Sequence, residues 1–138
     1  MATAGPTMRV ENACMRSGDR VVCGIDEVGR GAWAGPVTVA AVVAAPERPR
    51  TLRGVRDSKD LTPARRDSAA TAVRGWALAV GVGHASHHEC DEFGMTEALR
   101  RAGFRALGRS RSRATNPTGS CSTVPSTSWA WGSGSRRS

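Results

Sequence analysis

Two apolar, β-branched runs joined by a glycine-rich turn constrain this chain more than any other feature. Arg20 to Ile25 ("RVVCGI") leads into the acidic pair Asp26 and Glu27, the turn reads "DEVGRGAWAG", and Pro36 to Ala45 is apolar again. Gly29, Gly31 and Gly35 fall where the backbone must bend. The pattern predicts two strands paired as a hairpin with a wide turn. Side chains alternate between the faces of a strand, so Asp26 and Glu27 converge on one ion only if the strand ends or twists there. The glycines supply such an end. Two hard carboxylates beside a turn suit Mg²⁺ or Mn²⁺, although an acidic pair by itself is more often a solvated strand end.

Further along, Thr62 and Pro63 mark a helix start in "TPARRDSAATAVR", with Thr62 as the cap and Pro63 where its missing N–H costs nothing. Trp76 to Val82 is a third strand-like run. Ser86 and Glu89 have capping-box spacing, and Thr96 to Leu107 places Ala98, Leu99, Ala102 and Leu107 on one helical stripe. The expected order is strand, strand, helix, strand, helix, helix, an α/β pattern whose sheet needs more strands than are present. Residues 1–19 lack periodicity and are expected to be a flexible lead-in, with Met8 and Met15 as alternative starts.

A length of 138 residues suits one small domain. The net charge of +8, from 20 Lys+Arg against 12 Asp+Glu, favours an anionic partner, most commonly nucleic acid. Lys59 is the only lysine, so G+C-rich codons account for part of that charge. No apolar run is long enough to span a bilayer and no signal-peptide order opens the chain, so a cytoplasmic protein is expected. Cys14, Cys23, Cys90 and Cys121 include no C-x-x-C pair and are expected to be reduced thiols.

The turn "GRGAWAG" is neither a phosphate-cradling Walker loop nor a dinucleotide fingerprint, because no G-K-[S/T] follows and the acids precede the glycines. Its exposed backbone N–H groups, with Arg30 among them, suit a phosphate or sugar contact. "HASHHEC" offers His84, His87, His88 and Cys90 as soft ligands for zinc, with an ordinary strand-to-helix turn the simpler reading. Trp33, Trp76, Phe93 and Phe104 read as core or turn packing rather than as base-stacking platforms.

The block "GIDEVGRGAWAGPVTVAAVV", followed by "VRDSKDLTPARRD" and "VGHASHHECDEFGMTEALRRAGFRAL", closely resembles ribonuclease HII over about residues 20–107. The most specific part is its D-E-x-G-R-G-x-x-x-G-P-V order. The resemblance implies an α/β, ribonuclease H-like mixed sheet with flanking helices, incomplete in this chain. It implies an endoribonuclease acting on RNA–DNA hybrids, including single ribonucleotides in duplex DNA, as a monomer with Mn²⁺ or Mg²⁺. Asp26 and Glu27 match the family's first two metal-binding carboxylates. Gly29, Arg30 and Gly31 match the element that contacts the 2′-hydroxyl at the junction, and Ser58 and Lys59 match a pair near substrate phosphates. Two metal ions can generate the nucleophile and stabilise the leaving oxyanion, and the 2′-hydroxyl distinguishes RNA from DNA.

The pattern breaks after Leu107. The family carries a third carboxylate in a D-G pair on the next central strand and a fourth on a later helix, whereas residues 108–138 contain no acid and nine serines. Read one nucleotide upstream, Cys121 to Val124 can encode Leu-Asp-Gly, and the single tryptophan codon forces Gly-x-Gly from Trp129 to Gly132. A frameshift near Leu107 is therefore expected, leaving a partial domain at 20–107, a disordered Arg/Ser-rich tail at 108–138 and little or no activity. The alternative is a non-enzymatic, basic nucleic-acid-binding fragment whose "RSRSR" segment, Arg109 to Arg113, contacts RNA.

Overall fold

The hairpin expected around the glycine turn is formed. β1 (Val21–Val28) runs antiparallel to β2 (Val37–Ala44), with Cys23 opposite Val43 and Asp26 opposite Ala40. The computed structural model describes residues 7–19, 21–31, 34–44, 52, 54–113 and 121–125. β2 pairs antiparallel with β3 (Ala79–Ala85), placing Val39 opposite Gly83 and Thr38 opposite His84. β4 (Cys121–Pro125) lies parallel to β1, so the sheet order is β3-β2-β1-β4. The result is the expected α/β arrangement, a mixed sheet with flanking helices.

Several segments depart from expectation. The lead-in contains helix α1 (Arg9–Arg16), which lies against β1 and β4. The third strand does not begin at Trp76, because α2 (Pro63–Trp76) keeps its helical bonding to the end, with the Ala77 N–H donating to Val73 O at 2.8 Å. Thr62 precedes α2 without a side-chain capping bond, and no residue of α2 is buried. The tail is not wholly irregular, since α3 (His87–Arg113) continues past Leu107 and β4 follows. In that extension the Ser110 and Ser112 hydroxyls bond back to the carbonyls of Leu107 and Arg109, at 2.9 and 3.0 Å. The rest of the tail, including Trp129 and Trp131, lies outside the described residues, as does Trp33.

The capping box at the start of α3 is present. The Ser86 N–H donates to Glu89 Oε2 at 3.0 Å, and the Glu89 N–H donates to Ser86 Oγ at 3.2 Å. Gly94, with φ of 79°, kinks α3 at the division between the two helices expected from sequence. Beyond the kink, the buried stripe is Ala98, Ala102, Ala106 and Ser110, four residues apart and none more than 1 % exposed. Leu99 and Leu107 flank it, half-buried.

This stripe of small residues lets α3 lie directly on the backbone of β3. A Cβ at Gly83 would collide with Ala102 O and come within 2.5 Å of Ala106 N; one at Gly81 would collide with Ala106 O and come within 2.6 Å of Ser110 N. Val37, Val39, Ala41, Val43 and Cys23 extend the core across β2 and β1. Phe93 and Phe104, expected in packing, are exposed instead, with the guanidinium groups of Arg101 and Arg100 stacked 3.7 and 5.3 Å from their ring centroids. Trp76 is half-buried. Cys14, Cys23 and Cys90 are free thiols, and no helix among the described residues is long and apolar enough to cross a membrane.

Two tests follow from this packing. Gly83→Ala forces backbone apart and is expected to cost about 2 kcal/mol of stability, measured by urea unfolding. The second concerns Glu89, whose carboxyl is lowered from 4.5 to about 2, chiefly by its hydrogen bonds with Arg105 and then by the Ser86 N–H. Because the folded value is depressed, the stabilisation is complete above 4.5 and is lost as pH falls toward about 2. Glu89→Gln is therefore expected to lower Tm near neutrality and to flatten its fall over that acidic window, an outcome that thermal unfolding at a series of pH values checks directly.

Candidate active site

Asp26 and Glu27 both lie within β1, whose ladder continues to Val28, so strand alternation sends them to opposite faces. Asp26 is exposed and shares its face with Ala40 and Val82; Glu27 is half-buried and shares the α3 face with Val39 and Gly83. The strand end expected between them therefore falls after Val28. Asp26 Oδ1 accepts the Glu27 N–H at 2.9 Å, which fixes that carboxylate along the strand. Among the described residues neither acid has an ion-pair partner. The ion pairs found there cluster on α3, where Glu97 binds Arg100 at 2.5 Å and Arg101 at 3.0 Å, and Glu89 binds Arg105 at 2.8 Å.

The turn after β1 depends on its first glycine. Gly29 has φ of 92°, and a Cβ there would sit 2.8 Å from Pro36 O, so both conformation and space exclude a side chain. Gly35 also has positive φ, at 115°, whereas Gly31 has an ordinary φ and open space around it. The local fold thus requires Gly29 and tolerates a side chain at Gly31. Arg30 is exposed at the crest between them.

Ser58 and Lys59 occupy a short 3₁₀ turn, Ser58–Asp60, immediately before α2, with both side chains exposed. The residue that shapes this turn is Asp57, which the sequence reading passed over. Its Oδ1 accepts the Lys59 N–H at 3.0 Å, an Asx-type turn legible in the order Asp-Ser-Lys. The strand β1 and its turn carry Asp26, Glu27 and Gly29 to Gly31 on one segment without bringing the two carboxylates onto one face; Ser58 and Lys59 sit on a separate segment.

The histidine cluster is divided between elements. His84 lies exposed on β3 with its Nδ1 2.8 Å from Thr38 Oγ1, on the face that also carries Asp26. His87 and His88 stack on each other at the start of α3 with centroids 4.0 Å apart, while Cys90 packs against the core. No group of three or more His, Cys, Asp or Glu among the described residues is placed to hold a metal ion. The oxygen donors of Asp26 and Glu27 fit a hard divalent cation in kind. They fall short in number and point to different faces, so these two carboxylates by themselves do not make a metal site.

A sequence model of the ribonuclease HII family matches residues 23–103. Ribonuclease HII of Streptomyces griseus is 52% identical over 103 residues, covering 74% of this chain and 43% of the relative. That of Chloroflexus aggregans is 46% identical over 105 residues, covering 74% and 50%. That of Geobacter sulfurreducens is 49% identical over 92 residues, covering 67% and 42%. The chain spans about half the length of these relatives. The matched stretch contains the acidic pair, the Gly29 turn, the Ser-Lys turn and the first part of α3 with its kink at Gly94, and on that extent of identity the chain belongs to the ribonuclease HII family.

Proposed function

We propose that this chain is part of an endoribonuclease that hydrolyses the RNA strand of RNA–DNA hybrids, including single ribonucleotides embedded in duplex DNA. One observation carries the reading: an exposed carboxylate with no cationic partner among the described residues, Asp26, stands three residues before a turn that Gly29 holds open. In this reading the backbone of Gly29 to Gly31 and the side chain of Arg30 meet the ribose and its 2′-hydroxyl, the group that separates RNA from DNA. Ser58 and Lys59 bind flanking phosphates, and the Asp57 turn holds their backbone in place. Asp26 and Glu27 would contribute oxygen ligands to Mn²⁺ or Mg²⁺ once further carboxylates complete the site, and the ions would supply an activated water and charge stabilisation for the leaving oxyanion. The protein works as a cytoplasmic monomer.

Asp26 and Glu27 alone give two ions too few ligands to fix their spacing, so the 138 residues on their own are expected to be inactive or nearly so. Further carboxylates are proposed to come from the reading frame that a shift near Leu107 has displaced. The pairing of Cys121–Pro125 alongside β1 supports a central strand at that point of the chain.

The test uses the given chain and a frame-corrected version, each assayed with Mn²⁺ or Mg²⁺ on a DNA duplex carrying one ribonucleotide. The corrected protein is expected to cleave, and Asp26→Asn in it to lower the rate by on the order of a hundredfold or more. Salt-sensitive binding without cleavage by the corrected protein would refute the enzymatic reading and leave a basic binding fragment. Arg30→Ala in the corrected protein is expected to weaken substrate binding about tenfold, through loss of a charged hydrogen bond. Unchanged affinity and cleavage in that variant, measured by fluorescence anisotropy and gel assay, would remove the turn from the substrate contact.

A further inference from the structure

The outer edge of β3 carries no strand in the described sheet, yet its carbonyls are not left open. Arg105 Nη1 donates to His84 O at 2.6 Å, and Arg109 Nη1 donates to Val82 O. In an antiparallel ladder every second residue turns its N–H and C=O away from the partner strand, so Val82 and His84 present their carbonyls on the same, free side. A single surface arginine on a nearby carbonyl is commonplace. Here two arginines one helical turn apart meet two successive outward carbonyls, and the spacings agree.

The agreement has a geometric cause. Four residues of helix advance about 6 Å, and two residues of strand advance about 6.7 Å. α3 runs antiparallel to β3, so Arg105 meets His84 and Arg109 meets Val82. The contact of the helix with Gly81 and Gly83 brings it close enough for the arginine stems to reach around the edge. Arg105 is further fixed by Glu89, Nη1 to Oε2 at 2.9 Å and Nη2 to Oε1 at 2.8 Å. Glu89 is in turn held by the Ser86 N–H.

The strand itself has none of the usual protections. Its sequence, "AVGVGHA", contains no lysine, no proline and no acid, and Val82 is exposed beside the edge. Such an edge is a template for pairing with a strand of the same sequence. We propose that Arg105 and Arg109 form a guard that stops β3 from pairing edge to edge with β3 of a second copy of this chain. The guard occupies the acceptors that an incoming strand's N–H groups would need, and it places two guanidinium groups where that strand would lie.

Arg109→Ala is the first test, because it leaves the Ser86–Glu89–Arg105 network intact. Arg105→Ala/Arg109→Ala is the second. Sedimentation velocity over a concentration series is expected to show self-association about tenfold tighter than in the parent for the double variant, with Arg109→Ala intermediate. Hydrogen exchange should show the outward amides of Val80, Val82 and His84 becoming protected as concentration rises. Adding Val82→Lys, a charge beside the edge, should return the double variant to the parent's behaviour. Unchanged association and exchange in a folded Arg109→Ala protein overturn the proposal. Association that Val82→Lys does not reverse, or that leaves the β3 amides unprotected, overturns it as well, since the contact then lies elsewhere.

Discussion

The approach of α3 to β3 is the contact on which the rest of the structure depends. Gly81 and Gly83 on the strand, with Ala98, Ala102, Ala106 and Ser110 on the helix, remove the side-chain layer that usually separates a helix from a sheet. Through the β3–β2 and β2–β1 registers, this contact fixes where the paired strand residues of the hairpin stand, Asp26 included. It also has a cost in apolar area. Among the described residues the largest fully buried apolar side chains are Val22, Val37 and Cys23, so this core gains less from burial than one built on leucine or phenylalanine. Close fit takes over the role of bulk, and a core that depends on fit is sensitive to single added methyl groups.

Much of this was legible where a residue's local chemistry decides the outcome. The hairpin could be read from the β-branched runs and glycines, and the α3 start from Ser86 and Glu89, whose reciprocal bonds need only spacing. The stripe of α3 was harder, because a search for large apolar residues finds Leu99 and Leu107 and passes over Ala106 and Ser110. What selects the smaller residues is the pair of glycines about twenty-five positions earlier, a tertiary fact with no local signature. The exposed Phe93 and Phe104 are the converse case. Large rings have no room on a helix face that lies against backbone, and they stack with Arg101 and Arg100 on its other sides.

Boundaries were missed for related reasons. "WALAVGV" is apolar enough for a strand throughout, but the helical hydrogen bond from Ala77 to Val73 holds the first part in α2. α1 lacks a long periodic pattern and is placed by its contact with β1 and β4. In the candidate site, the residue types were legible and their directions were not. Nothing in "DEVGRG" reveals that the ladder persists to Val28, and that persistence is what separates Asp26 from Glu27.

That separation bears on how a cation site could be assembled around this strand. Bringing Glu27 to the Asp26 face means breaking the strand's alternation opposite Val39 and the bond from the Glu27 N–H to Asp26 Oδ1, at a cost of about 1 kcal/mol for a hydrogen bond given up. Supplying the further ligands from a neighbouring strand needs no such break. β4 runs parallel to β1, with Pro125 level with Ile25, so the two strands point toward the same end of the sheet. That end is where Asp26 and the Gly29 turn lie. An antiparallel neighbour would deliver its C-terminal end to the opposite side of the sheet, whereas a parallel one brings it next to Asp26. The parallel sense of β4, more than the closeness of Asp26 and Glu27 in sequence, makes this end of the sheet the place where carboxylates from distant segments can meet.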